Sequence, residues 1–134
     1  VCGMKPTYPI IADKKLEVAK LYNMLEGDAG VTSMGRTAVD NETVRTVYVI
    51  RPDKRIGLFL TYPMTTGRNF QEILRAIDSM QRTAKYKIAT PADWKPGEKV
   101  IIVPKVTNEE AKKIYPDGWD TIKPYLRKVP DPQK

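Results

Sequence analysis

Eight consecutive residues, Thr43 to Ile50 (Thr-Val-Arg-Thr-Val-Tyr-Val-Ile), constrain this chain more than any other stretch. β-Branched and aromatic side chains dominate them, and such residues fit a pleated, half-buried surface. Alternation sends Val44, Thr46, Tyr48 and Ile50 to one side and Arg45, Val47 and Val49 to the other. Both sides are largely apolar, so the strand is expected to lie between two covering layers. Arg45 is the exception. A guanidinium on an otherwise apolar face needs a counter-charge or a bound anion, because an unpaired buried charge is costly.

The flanking residues build a framework around this strand. Pro52-Asp53-Lys54 predicts a turn, and Ile56 to Tyr62 predicts the returning strand of a hairpin. Phe70, Ile73, Leu74, Ile77 and Met80 recur at helical spacing behind a cap at Asn69 or Thr66. Upstream, Pro9-Ile10-Ile11-Ala12 reads as a short strand, with Asp13 as the cap of a helix over 14–25 that Gly27 ends. Residues 26–42 then read as a long loop. Prolines become frequent from Pro91 onward. Inside that segment the pattern predicts a strand from Lys99 to Val103, a helix from Asn108 to Tyr115 opened by a Thr107/Glu110 capping box, and an extended piece from Tyr125 to Val129. The order implies an α/β fold. It also implies an incomplete one, with residues 1–88 forming part of a larger sheet domain and 89–134 a small appended subdomain.

Composition narrows the chemistry. The 134 residues contain no His and a single Cys, Cys2. That excludes Ser-His-Asp and Cys-His nucleophile systems, His-based zinc sites and an internal disulfide. One cysteine suits a reducing compartment, here read as cytoplasmic. Cys2 itself reads as an incidental thiol. No apolar run approaches the roughly 20 residues of a membrane span. The net charge of +7 comes from 23 basic and 16 acidic residues that are interleaved, without a block of like charge. A solvated surface fits this better than a nucleic-acid face. The start, Val-Cys-Gly-Met-Lys-Pro, has no initiator Met or signal stretch, which suggests a processed or partial product.

Two arginines stand out as candidate site residues: Arg45 on the strand, and Arg68 in Thr66-Gly67-Arg68-Asn69 just before a helix. Each suits either a salt bridge or an anionic or polarisable ligand. Asp53 is explained by its turn. Trp94 and Trp119 are expected to pack the Pro-rich segment onto a neighbour. No cofactor loop or metal-ligand pattern is present.

The run Val44-Arg45-Thr46-Val47-Tyr48-Val49-Ile50-Arg51-Pro52-Asp53-Lys54, followed by Leu60-Thr61-Tyr62-Pro63-Met64-Thr65-Thr66-Gly67-Arg68-Asn69-Phe70-Gln71-Glu72-Ile73-Leu74-Arg75, closely resembles the 1-Cys peroxiredoxins. The likeness begins at Tyr8-Pro9-Ile10-Ile11-Ala12-Asp13. It continues through Ala89-Thr90-Pro91-Ala92-Asp93-Trp94-Lys95-Pro96-Gly97 and Glu109-Glu110-Ala111-Lys112-Lys113 to Pro124-Tyr125-Leu126-Arg127, covering nearly the whole chain in order. The family's Pro-Val-Cys-Thr-Thr-Glu segment, which carries the peroxidatic cysteine, is not in this sequence, and Cys2 does not match it. The resemblance is therefore to the C-terminal portion of such an enzyme.

That resemblance implies a partial thioredoxin-like fold with a C-terminal extension. It implies a thiol-dependent peroxidase that reduces hydrogen peroxide and organic hydroperoxides, is restored by an external thiol, and needs no cofactor or metal. Arg45 and Arg68 match family arginines that favour the reactive thiolate and stabilise charge developing on the peroxide. The resemblance further implies a homodimer, paired through the strand Ile56 to Tyr62 and embraced by residues 89–134. Asp53 matches an Asp assigned to a phospholipase activity in some members; with no His present, that activity is not carried over. The alternative is a catalytically inactive truncated or split domain that serves dimerisation or partner binding.

Overall fold

The computed structural model describes residue 3 and residues 5–132; Cys2 lies outside the described residues. The chain divides into two units, residues 1–68 and 69–134.

The first unit contains one short helix, α1 (Glu17–Leu21), and a hairpin of β1 (Arg45–Ile50) and β2 (Ile56–Tyr62). The hairpin is antiparallel and pairs Arg45 with Tyr62, Val47 with Leu60 and Val49 with Leu58 on one face. Thr46 with Thr61 and Tyr48 with Phe59 lie on the other. A turn closes it: the Arg51 N–H donates to the Arg55 carbonyl at 2.9 Å, with Lys54 at φ 63°. Residues Arg45 to Val49 are half-buried and Ile50 is exposed. The expected cover on both faces is thus only partial. In this unit β1 pairs with a single strand, and its Tyr48 face meets Tyr22 edge-on, with ring centroids 5.1 Å apart. The Tyr48 hydroxyl donates to the Tyr22 carbonyl at 3.0 Å, which ties the loop after α1 to the strand.

Two expectations for the N-terminal stretch need correction. Pro9–Ala12 forms no strand: Ile10 and Ile11 are exposed and find no partner strand. Apolar residues alone do not make a strand without a ladder to satisfy their backbone. The helix expected over 14–25 shrinks to five residues. Asp13 and Leu16 take left-handed φ values of 43° and 60°, and the Leu16 N–H closes a turn onto the Asp13 carbonyl at 2.9 Å. Asp13 caps the helix across this turn, its carboxylate accepting from the N–H groups of Val18 and Ala19 at 3.1 and 2.8 Å. The 26–42 segment is a loop, as expected. Arg36 organises it, donating to the carbonyls of Ala29 and Asp40 and, at 2.8 Å, to the Asn41 side chain.

The second unit opens with α2 (Phe70–Lys85), capped by Asn69, whose side chain accepts the Glu72 N–H at 3.1 Å. The further elements are β3 (Ile88–Ala89), β4 (Val100–Ile102), α3 (Asn108–Ile114), β5 (Asp120–Lys123) and β6 (Leu126–Val129). The strands form an antiparallel sheet in the order β3-β4-β6-β5. Thr107 caps α3 by accepting the Glu110 N–H, as its capping box predicts. Alternation turns Val100, Ile102 and Val129 inward. There they join Ile88, Trp94, Val106 and Ala111 in one core. Two charged side chains are buried beside that core, Arg127 and Asp131.

Candidate functional site

Arg45 is the first residue of β1, at the hairpin end where β2 finishes at Tyr62. Its strand face continues through Val47, Leu60, Val49 and Leu58, all apolar. The side chain is half-buried, and its Nε is shielded from solvent with no hydrogen-bond partner among the described residues. No described carboxylate forms an ion pair with it. Buried donors are normally satisfied, and Arg45 Nε is an exception that it shares, among the described residues, with Arg127 Nε of the other unit.

Arg68 follows Tyr62 after a turn in which the Thr66 N–H donates to the Pro63 carbonyl at 2.9 Å. It is half-buried, outside any helix or strand, and stands immediately before the Asn69 cap of α2. Among the described residues it too has no ion-pair partner. The register places Arg45 opposite the residue at which the chain leaves β2 and sets out toward Arg68. Both guanidiniums belong to the same unit. Guanidiniums held this way can bind an anion, favour a thiolate over a thiol, or stabilise charge growing on an oxygen.

Glu72 and Arg75, in the first turns of α2, form a two-pronged pair: Nε donates to Oε2 at 2.6 Å and Nη2 to Oε1 at 2.8 Å. The hydrogen bond from Arg75 holds the Glu72 carboxyl below its ordinary range, against a smaller opposing effect of burial. The same bond raises Arg75. This pair is satisfied internally, which sets it apart from Arg45 and Arg68.

Asp53 sits in the hairpin turn, where it pairs with Arg51 at 3.2 Å and accepts the Arg55 N–H at 3.1 Å, all at the surface. Trp94 is buried in the core of its own unit, its Nε1 donating to the Glu98 carbonyl at 3.0 Å, so it packs within the Pro-rich segment and not onto a neighbour. Trp119 packs against that core and lies beside Arg127, 5.9 Å from ring centroid to guanidinium carbon. Sequence reasoning missed the buried Arg127 and Asp131. Arg127 shares the inward face of β6 with Val129, but nothing local tells that a charged side chain there is buried, and Asp131 follows the last strand with no periodic signal at all; the burial of both is set by distant partners. Among the described residues no group of three or more His, Cys, Asp or Glu is placed to hold a metal ion. Nor is any helix there long and apolar enough to cross a membrane.

A family model described as the C-terminal domain of 1-Cys peroxiredoxin matches residues 79–118. A 1-Cys peroxiredoxin of Dictyostelium discoideum is 50% identical over 98% of this chain and 51% of its own length. Peroxiredoxin-6 of Gallus gallus is 47% identical over 96% of this chain and 58% of its own. Among solved structures, a yeast mitochondrial 1-Cys peroxiredoxin aligns with a TM-score of 0.74 at 45% identity, covering 92% of this chain and 56% of that one. The peroxiredoxin 6 of Arenicola marina aligns with a TM-score of 0.73 at 46% identity, covering 96% and 58%. The chain spans about half the length of the relatives it matches. The fold is thus α/β and partial, that of the thioredoxin-like peroxiredoxins, and over its length the chain matches the C-terminal portion of the 1-Cys peroxiredoxins.

Proposed function

We propose that this chain is the arginine-bearing part of a thiol-dependent peroxidase that reduces hydrogen peroxide and organic hydroperoxides. A cysteine thiolate supplied by the full-length protein attacks one peroxide oxygen. The O–O bond breaks, the other oxygen leaves as water or an alcohol after taking a proton, and the cysteine becomes a sulfenic acid. An external thiol condenses with the sulfenic acid, and a second thiol releases the reduced cysteine. Arg45 and Arg68 keep the cysteine ionised and stabilise the charge that develops on the leaving oxygen. The observation that carries this reading is the Arg45 guanidinium, whose shielded Nε has no partner among the described residues.

The reading extends to assembly and compartment. The strand Ile56–Tyr62 and the segment 89–134 form the contacts of a homodimer, 1–88 being the sheet domain and 89–134 the part that reaches the second copy. Support comes from the exposed Ile56 and Phe59 on a strand whose outer edge is unpaired among the described residues. A cytoplasmic location is supported by the single cysteine in the sequence. Fractionation of the full-length protein separates this from the mitochondrial location of the yeast relative.

The test is hydroperoxide consumption by the full-length protein with an external dithiol, comparing wild type with Arg45→Ala and Arg45→Lys. Loss of the guanidinium is expected to lower the second-order rate constant by about tenfold to a hundredfold, equal to roughly 1.4–2.7 kcal/mol. It also raises the pH at which the thiol becomes reactive, and Lys restores part of both. An unchanged rate and an unchanged thiol titration in Arg45→Ala overturn the assignment.

A further inference from the structure

Asp117-Gly118 is the only Asp-Gly pair in the sequence, which contains no Asn-Gly pair. It forms the link between α3 and β5, where Asp117 is an exposed turn residue. Gly118 takes φ +87°, and a Cβ placed there would meet nothing within 4 Å. A single backbone hydrogen bond closes the turn, from the Gly118 N–H to the Tyr115 carbonyl at 3.0 Å. Directly after the pair comes Trp119, packed against the core and beside the buried Arg127.

We propose that Asp117 is a site of self-modification, isomerising to isoaspartate through a cyclic succinimide. The Gly118 nitrogen attacks the carboxyl carbon of Asp117. A C–N bond forms, a C–OH bond breaks, and the amide proton and the hydroxyl depart as water. A second water reopens the ring. Opening at the side-chain carbonyl restores aspartate. Opening at the main-chain carbonyl sends the backbone through the side-chain carbon and lengthens it by one methylene. No oxidant, reductant or cofactor takes part.

Three features of the turn favour this chemistry. Glycine offers no side chain to obstruct the attacking nitrogen. The surrounding space is open to the ring and to water. The one hydrogen bond that must break lies at the surface, in a short turn. The other eight aspartates precede residues with side chains, Asp131 preceding a proline with no N–H at all. The product has a structural consequence. An extra methylene at residue 117, separated from Trp119 only by Gly118, shifts the ring relative to Arg127 and disturbs the start of β5 at Asp120.

The experiment is incubation of the full-length protein for weeks at neutral pH and physiological temperature. Peptide mapping with electron-transfer fragmentation then distinguishes isoaspartate from aspartate at each of the nine positions. Isoaspartate is expected to accumulate at 117 ahead of every other site, with a parallel change in tryptophan fluorescence. Asp117→Glu, which cannot form the five-membered ring, is expected to abolish both. Asp117→Asn reports the same ring closure through loss of ammonia and is expected to convert within days. Absence of isoaspartate at 117 in the parent protein, or an intact amide in the Asn variant, overturns the proposal.

Discussion

Arg82 donates to the wholly buried carboxylate of Asp131 at 3.2 Å, joining α2 to the residues that follow β6. The same carboxylate accepts the Gly97 N–H at 3.2 Å, and Arg82 also reaches the Pro132 carbonyl at 3.1 Å. One side chain thus clasps three segments that are far apart in sequence. Asp131→Ala leaves the Gly97 donor and one guanidinium arm unpaired. Arg82 keeps some access to water, so the loss is expected to fall near 2–3 kcal/mol, within the range for orphaned buried partners. Urea unfolding of Asp131→Ala, Arg82→Ala and the double variant measures it. The double variant is expected to cost clearly less than the sum of the singles, because the residues share one interaction.

Arg127 has no carboxylate partner among the described residues. Its guanidinium is held by the Val106 carbonyl at 2.5 Å and the Asn108 side chain at 2.7 Å, under the Trp119 ring. It therefore serves as a multi-armed donor that satisfies the loop before α3. Arg127→Met keeps the aliphatic stem but strands those acceptors, and is expected to cost about 2 kcal/mol. Arg127→Lys recovers only part, since an ammonium cannot span both acceptors with a planar fork. Thermal melts of the two variants, with Trp119 fluorescence as a local probe, check the order.

How far the sequence foretold this structure follows from where its signals are local. In α2 the Phe70, Ile73, Leu74, Ile77 and Met80 spacing and the Asn69 cap, one of the two candidates, lie within one segment, and a helix forms there, continuing to Lys85. The same holds for the hairpin and for Thr107 before α3. β3 and β5 were not legible: the first has two residues, the second carries only exposed ones, and each exists because a neighbouring strand offers it a ladder. Ile10 and Ile11 misled in the opposite sense, being apolar without a partner. Within the candidate site, the unease of Arg45 on an apolar strand was visible in the sequence. That its Nε finds no partner was not, because satisfaction depends on every neighbour in space.

Acid should loosen the start of α2. The Arg75 hydrogen bond depresses the Glu72 carboxyl below its ordinary 4.5. A group depressed in the folded state adds stability that is present above its unfolded value and is lost as pH falls through its folded value. Helicity of the intact protein, followed by circular dichroism, is thus expected to hold down to about pH 4.5 and decline below it. Glu72→Gln is expected to flatten part of that decline. Asp40, lowered from 3.8 by hydrogen bonds from the Thr37 side chain and N–H, stabilises the 26–42 loop with the same sign of pH dependence, outside any helix, and Asp40→Asn removes that part.

The hairpin edge yields the last prediction. Phe59 is 62% exposed and Ile56 52% exposed on β2, whose outer edge has no strand beside it among the described residues. A free strand edge bearing apolar side chains is a template for pairing with another chain, and one lysine is enough to blunt it. Phe59→Lys leaves the face of Val47, Leu60 and Arg45 untouched, because Phe59 pairs with Tyr48 on the opposite face. The variant is therefore expected to fold and to lose self-association, about tenfold or more in dimer affinity, or roughly 1.4 kcal/mol. Sedimentation equilibrium of the full-length protein measures this. A dimer of unchanged affinity in a folded Phe59→Lys variant would place the contact elsewhere, with 89–134 the remaining surface to probe.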